Sequence, residues 1–177
     1  MWITILKKGQ CHKYALHQKI TGMFTDEVAL IGRQFCYLDK GDSVLISSFS
    51  KVNSDSKLVR FERGQKINAN ILISPARGTY RDEDGVRRRM APRRNPDDIW
   101  GYVSRRFGSY ANVLHARAKL MAPECVIKPD NTKIVFARWA TVVELEILQP
   151  KSFEEIATKG IGAGCAFGLG LLEIING

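Results

Sequence analysis

Residues 66–73 read KINANILI, so that Ile67, Ala69, Ile71 and Ile73 alternate with Lys66, Asn68 and Asn70. A period of two is the pattern of a strand buried on one face. Working outward from it, Asn95-Pro96-Asp97-Asp98 predicts a helix start. It supplies a capping Asn, Pro at the first helical position and two carboxylates at the positive end of the dipole. That helix runs to about residue 107, with Ile99, Val103 and Phe107 on one face. Residues 113–121 and 134–140 read as strands joined by a connection containing Pro and Asn. Val143, Leu145 and Ile147 alternate with Glu144 and Glu146 and predict a further half-buried strand. Ser152-Phe153-Glu154-Glu155 fits a capping box, and Gly160 suits the end of that short helix. A glycine-rich turn and an apolar strand over 169–175 follow.

From Gln65 onward the order is strand, helix, strand, strand, helix, strand. That βαββαβ order is the ferredoxin-like arrangement. Residues 1–64 predict a shorter version of it. A strand over 3–7 leads into a helix over 11–24 whose stripe is Leu16, Ile20, Met23 and Phe24, with Gly22 weakening its last turn. Strands over 29–38 and 43–49 flank Asp39-Lys40-Gly41-Asp42, a hairpin turn. Residues 50–57 are polar, and 58–61 allow one more short strand. The expected fold is therefore α+β, with two ferredoxin-like lobes, 1–64 and 65–177, the first with its second helix reduced or absent.

The chain has 177 residues, 45% of them hydrophobic, with 27 Lys+Arg against 18 Asp+Glu and a net charge of +9. This composition supports a packed core rather than disorder, and the charge favours a polyanionic partner, nucleic acid before membrane. No apolar run approaches the roughly 18 residues of a spanning helix. Lys7-Lys8 interrupts the apolar start too early for a signal peptide, so the expected setting is the cytoplasm. Cys11, Cys36, Cys125 and Cys165 are scattered without a C-x-x-C pair, which predicts reduced, mostly buried thiols rather than a zinc site or a disulfide framework.

Three stretches carry candidate chemistry. Between residues 77 and 94 stand seven arginines (Arg77, Arg81, Arg87, Arg88, Arg89, Arg93 and Arg94) against Asp82, Glu83 and Asp84. Asp84-Gly85 is a turn dipeptide, so this stretch is either a solvated loop or a two-stranded finger that grips phosphates. Tyr80 is its lone aromatic, which favours backbone or duplex contact over base stacking. On the first helix, Tyr14 and His17 lie about 60° apart at 100° per residue, and a histidine there suits general acid–base work near neutral pH. His12 and His115 belong to no pattern, and three histidines without clustered carboxylates predict no metal site. Finally, residues 160–170 hold Gly160, Gly162, Gly164, Gly168 and Gly170. They match neither a dinucleotide loop nor a P-loop; they form a tight helix-to-strand turn, or a backbone that approaches a phosphate closely.

Residues 160–174, GIGAGCAFGLGLLEI, resemble the C-terminal glycine signature of the CRISPR repeat-processing endoribonucleases, most closely the CasE-type subunit of Cascade complexes. That family carries Y-x-x-H on the helix after its first strand, and Tyr14-Ala15-Leu16-His17 is similar. The Met-Trp-Ile-Thr start, the arginine-rich finger, Ile99-Trp100 and Arg105-Arg106 extend the resemblance along the chain. It implies a tandem ferredoxin-like protein that binds a CRISPR repeat hairpin, alongside other subunits of an effector complex. It further implies cleavage at the 3′ base of the stem by the RNA's own 2′-hydroxyl, without metal or other cofactor, leaving a 2′,3′-cyclic phosphate or its opened form. Tyr14 and His17 are then the catalytic pair. The finger arginines, Lys19, Lys159, Gly162 and Gly164 are then the RNA-binding residues.

The chain departs from the family pattern in three places. Cys165 stands where the glycine motif usually carries Lys. Gly22 stands about where some members have a further Lys, for which Lys19 is the available substitute. The chain is also short. A second reading is therefore a non-catalytic subunit that binds the hairpin. A third, a generic tandem ferredoxin-like RNA-binding module, lacks the usual sheet aromatics.

Overall fold

The computed structural model describes residues 1–9, 13–24, 34–75, 79–81, 87–89, 95–131 and 133–176, with backbone alone at 79–81 and 87–89. Cys11, His12, Arg77, Arg93 and Arg94 lie outside the described residues. Two four-stranded antiparallel sheets dominate. The first contains β1 (Trp2–Lys7), β2 (Phe35–Asp39), β3 (Ser43–Ser48) and β4 (Lys57–Leu58), in the order β2-β3-β1-β4, with helix α1 (Lys13–Gly22) between β1 and β2 in sequence. No helix separates β3 from β4, where residues 49–56 turn back on themselves. Asn53 Oδ1 accepts from the Asp55 N–H at 3.1 Å and from the Ser56 hydroxyl at 3.2 Å. The Ser56 oxygen in turn accepts from the Asn53 N–H at 3.0 Å. Side chains that bond nearby backbone in this way stabilise a turn in place of a helix.

The second sheet is built from β5 (Lys66–Ile73), β8 (Ala111–Ile127), β9 (Lys133–Ile147) and β10 (Leu172–Asn176), in the order β10-β5-β9-β8. Helix α2 (Pro96–Phe107) links β5 to β8, and α3 (Pro150–Lys159) precedes β10. Counted along the lobe, the strands stand fourth, first, third, second, so the chain is a tandem ferredoxin-like α+β protein with its first lobe trimmed. Between β5 and α2 a separate ribbon pairs β6 (Thr79–Arg81) with β7 (Arg87–Arg89), Tyr80 opposite Arg88. No helix among the described residues is long and apolar enough to cross a membrane.

Helix α2 starts where the sequence places it. Asn95 is extended and its Oδ1 accepts from the Asp97 N–H at 3.0 Å, with Pro96 at the first turn. Ile99, Tyr102, Val103 and Phe107 are buried against the second sheet. Five expectations need correction. The strands read as 134–140 and 143–147 are one strand, because Trp139, Thr141, Val143, Leu145 and Ile147 all keep the buried face. Its partner β8 is longer than 113–121, with irregularities between Val113 and His115 and between Met121 and Glu124. Pro123 sits in the second irregularity on an edge strand, where a missing N–H is tolerated. Helix α3 begins at Pro150 after Gln149, ahead of the Ser152 box, since Pro at the first position has the helical φ already set. The last strand starts at Leu172 rather than 169. Met23, expected in the apolar stripe, is 43% exposed, because Met23 and Phe24 close 3₁₀-type bonds to Ile20 and Thr21 that tighten the helix end.

The first sheet is covered on both faces. Leu16, Ile20 and Phe24 pack on Phe35, Tyr37, Val44 and Ile46. On the other face Cys36 and Leu45 meet Cys165 and Leu171, and the Ser47 hydroxyl donates to the Ala157 carbonyl of α3 at 3.3 Å. Helix α3 is therefore shared between the sheets, since Phe153 and Ala157 also belong to the core of the second.

Across the first hairpin, the Lys8 ammonium donates to Asp39 Oδ2 at 2.6 Å and the Gly41 N–H to Asp39 Oδ1 at 3.0 Å. Burial opposes ionisation of Asp39, but the Lys8 and Gly41 hydrogen bonds, with the charges of Lys8 and Lys13, outweigh it and hold its carboxyl below the usual range. A depressed pKa stabilises the fold above the unfolded-state value near 3.9, and that contribution is lost as pH falls through the folded value. Asp39→Asn is expected to cost about 1–3 kcal/mol at neutral pH and to match the wild type at acid pH below that window. A denaturant titration at both pH values checks this; an equal penalty at both would show that charge plays no part.

Candidate active site

Tyr14 and His17 lie on α1, both half-buried and one turn apart. The helix is set by its first residue. Lys13 forms an ion pair with Glu124 of β8, and Glu124 also accepts from Arg138 Nη1 at 3.2 Å. The start of the first-lobe helix is thus tied to the long hairpin of the second lobe.

The His17 ring stands among three aromatic rings. Its centroid is 6.0 Å from Phe35, 6.3 Å from Tyr37 with the rings stacked at 23°, and 6.4 Å from Phe167. Phe167 belongs to a 3₁₀ turn, Cys165–Phe167, inside the glycine-rich segment. That segment is fastened to β2, since the Tyr37 hydroxyl donates to the Ala166 carbonyl at 3.0 Å and the Cys36 thiol to the Leu169 carbonyl at 3.4 Å. Phe167 also meets Phe136 of β9 at 5.6 Å. The imidazole therefore lies where α1, β2 and the glycine-rich turn converge. The sequence pattern points to the two ends of this arrangement, His17 and the glycine-rich turn, but not to the aromatic surround. The signals available were the β-spaced pair Phe35 and Tyr37 and the Phe within Gly-Cys-Ala-Phe-Gly.

The glycine-rich segment is both a packed turn and a half-exposed surface. Gly162 has φ +89, and a Cβ there would stand 2.7 Å from the Tyr102 hydroxyl; at Gly164, φ +83, a Cβ would stand 2.7 Å from Leu169 Cδ1. Both positions admit only glycine, for reasons internal to the protein. Gly162 and Gly164 keep part of their surface exposed. Cys165 is 2% exposed and its thiol donates to the Gly162 carbonyl at 3.3 Å. A small apolar thiol suits this site, whereas an ammonium would have to leave it to be solvated.

The remaining candidates are spread out. Lys159 ends α3, pairs with Glu155 and places its ammonium 5.9 Å from the ring centroid of Phe49. Lys19 is exposed and about 200° around α1 from His17, beside a groove shared with Lys7 and Lys8. Arg81, Arg87, Arg88 and Arg89 fall on the paired strands of the ribbon. His115 is exposed on the far face of the second sheet, 4.0 Å from Glu144. Among the described residues no cluster of three or more His, Cys, Asp or Glu is placed to hold a metal ion.

No family model and no curated relative matches the chain. Solved structures do. The chain is similar to the CRISPR-associated protein Cas6e of Escherichia coli K-12 at a TM-score of 0.76 and 18% identity, covering 98% of both chains. It is similar to Thermus thermophilus Cse3, bound to an RNA representing a pre-cleavage complex, at 0.68 and 16%, covering 99% of this chain and 98% of that one. A chain of a CRISPR RNA-guided surveillance complex gives 0.70 and 18%, with 98% of both covered. At such identities the likeness is one of architecture, and over nearly its whole length this chain has the fold of Cas6e and Cse3.

Proposed function

We propose that this protein is an endoribonuclease that binds the hairpin of a CRISPR repeat transcript, cuts at the 3′ base of the stem without metal, and retains the product. The observation that supports this reading most is the position of His17, at the meeting of α1, β2 and the glycine-rich turn, in a chain that folds like an RNA-bound Cse3. In the reaction the 2′-oxygen attacks the neighbouring phosphorus and the bond from phosphorus to the 5′-oxygen breaks. The 2′-hydroxyl proton must be removed and the departing 5′-oxygen must receive one, and a single imidazole suits such transfers near neutral pH. The products are a 2′,3′-cyclic phosphate, or its opened form, and a 5′-hydroxyl. Tyr14, one turn before His17, positions the reacting oxygens. The ribbon arginines, Lys19, Lys159 and the exposed backbone at Gly162 and Gly164 hold the RNA, and other subunits of a cytoplasmic effector complex are the expected partners.

The test uses the cognate repeat hairpin in EDTA. Cleavage is expected to proceed at an unchanged rate, and a single 2′-deoxy nucleotide just before the scissile phosphate is expected to abolish it. A strict requirement for divalent metal, or cleavage of the 2′-deoxy RNA, contradicts the mechanism. One observation favours a second reading, a subunit that binds the hairpin without cutting it. The position where the resemblance expects Lys is a buried thiol, so that position offers no cation to a phosphate. Tight binding with no cleavage under any condition selects that reading.

A further inference from the structure

A groove of about 590 Å³ runs between α2 and α3, bordered by the start of the glycine-rich segment at Gly160 and Gly162. Arg105, Arg106 and Lys159 line it with cations, Ser109 and Ser152 with hydroxyls, and Glu155 with its one carboxylate. Arg105 and Arg106 are exposed. The Arg106 guanidinium lies 5.3 Å from the ring centroid of Tyr102, and the Tyr102 hydroxyl borders Gly162. The turn thus faces His17 through Phe167 and opens onto the groove through Gly162. Phe49, 40% exposed beside Lys159, offers an aromatic face at the margin.

A groove of about 590 Å³ falls within the roughly 300–1,000 Å³ of a small-ligand cleft, room for a short single strand and too little for a duplex. From Ser152 to Lys159 the helix advances about 10 Å at 1.5 Å per residue, the length of about three stacked nucleotides at 3.4 Å each. Arginine pairs facing a channel grip phosphates bidentately, and an exposed aromatic beside them accepts a base.

We propose that this groove holds the single-stranded RNA on the 3′ side of the cut, the fragment that leaves. The proposal rests on the hairpin-cleaving reading above. It adds that the protein grips precursor and product differently: the ribbon holds the stem in both, whereas the groove is filled only while the strand is continuous. Cleavage therefore removes one set of contacts and leaves the stem bound.

The test compares wild type with the double variant Arg105→Ala, Arg106→Ala on two RNAs. One is the hairpin with a 3′ single-stranded flank, made uncleavable by a 2′-deoxy nucleotide; the other is the hairpin ending at the cut. The variant is expected to bind the flanked RNA about tenfold more weakly. Its salt slope for that RNA should fall by about 1.4, two contacts at 0.7 each for a single strand. Affinity for the flankless hairpin should stay within about twofold. Equal losses on both RNAs, or no loss on either, overturn the groove assignment. A hairpin carrying only a 5′ flank serves as the control for polarity, and an equal loss there overturns the 3′ placement. Binding of a labelled oligouridine to both proteins keeps the two ideas separate. If wild type ignores the hairpin, the hairpin reading fails by itself. Oligouridine binding that the double variant loses would then still support a single-strand groove, and binding that it retains would refute one.

Discussion

Replacing His17 with Ala is expected to slow cleavage of the cognate hairpin by about 10²–10⁴-fold, the range of a general acid–base contribution, while affinity changes by less than about threefold. The separation of the two effects follows from the placement of the residue. His17 meets Phe35, Tyr37 and Phe167, whereas the arginines proposed to grip the stem lie on the ribbon between β5 and α2. Because those rings pack on the imidazole, Ala also leaves a gap beside the glycine-rich turn. His17→Gln, which keeps most of the volume without a base, separates chemistry from packing. It should cleave as poorly as Ala with a melting temperature closer to wild type. Single-turnover cleavage together with filter binding reads both quantities. Cleavage at the wild-type rate in either variant would sink the assignment.

Changing Arg87, Arg88 and Arg89 together to Ala is expected to weaken hairpin binding by one to two orders of magnitude at physiological salt. The slope of log affinity against log salt should fall by about 2.7, three contacts at about 0.9 each for a duplex. The three residues occupy one strand of a ribbon that belongs to neither large sheet. The single-turnover rate at saturating protein should stay near wild type if, as proposed, the ribbon supplies binding and not chemistry. Unchanged affinity and slope would make the ribbon a solvated hairpin, and a lost turnover rate with intact binding would place it at the reacting phosphate instead.

The elements that were legible in the sequence are those governed by local rules. Alternation over 66–73 and the Asn95-Pro96 cap specify β5 and α2 almost to the residue. Asp84-Gly85, which lies outside the described residues, and the arginines flanking it predict a ribbon, and β6 pairs with β7. Where a rule is interrupted, the local pattern misleads. Thr141 broke the apolar pattern and split β9, although its side chain is buried and its hydroxyl is within 3.5 Å of the Trp139 carbonyl. The two irregularities in β8 hid its full length. Ser152 has the composition of a cap, but Pro150 starts the helix before it.

The candidate site divides along the same line. Tyr14 and His17 were legible because an i, i+3 spacing on one helix fixes their separation without any tertiary information. The aromatic surround was not, because Phe35 and Tyr37 arrive from β2 and Phe167 from a turn about 130 positions later. The α2–α3 groove likewise depends on two helices separated in sequence by the whole β8–β9 hairpin.

By itself, then, the sequence determined the order of strands and helices, the excess of positive charge and the residue types available for RNA chemistry. These follow from hydrogen bonds and periodicities that span only a few residues. Tertiary structure decided which of those residues meet. The Tyr37 hydroxyl bonds the carbonyl of Ala166, 129 positions away, and α3 is shared by two sheets. Contacts of that range are set by how whole buried faces fit together, a property that no short window of sequence contains.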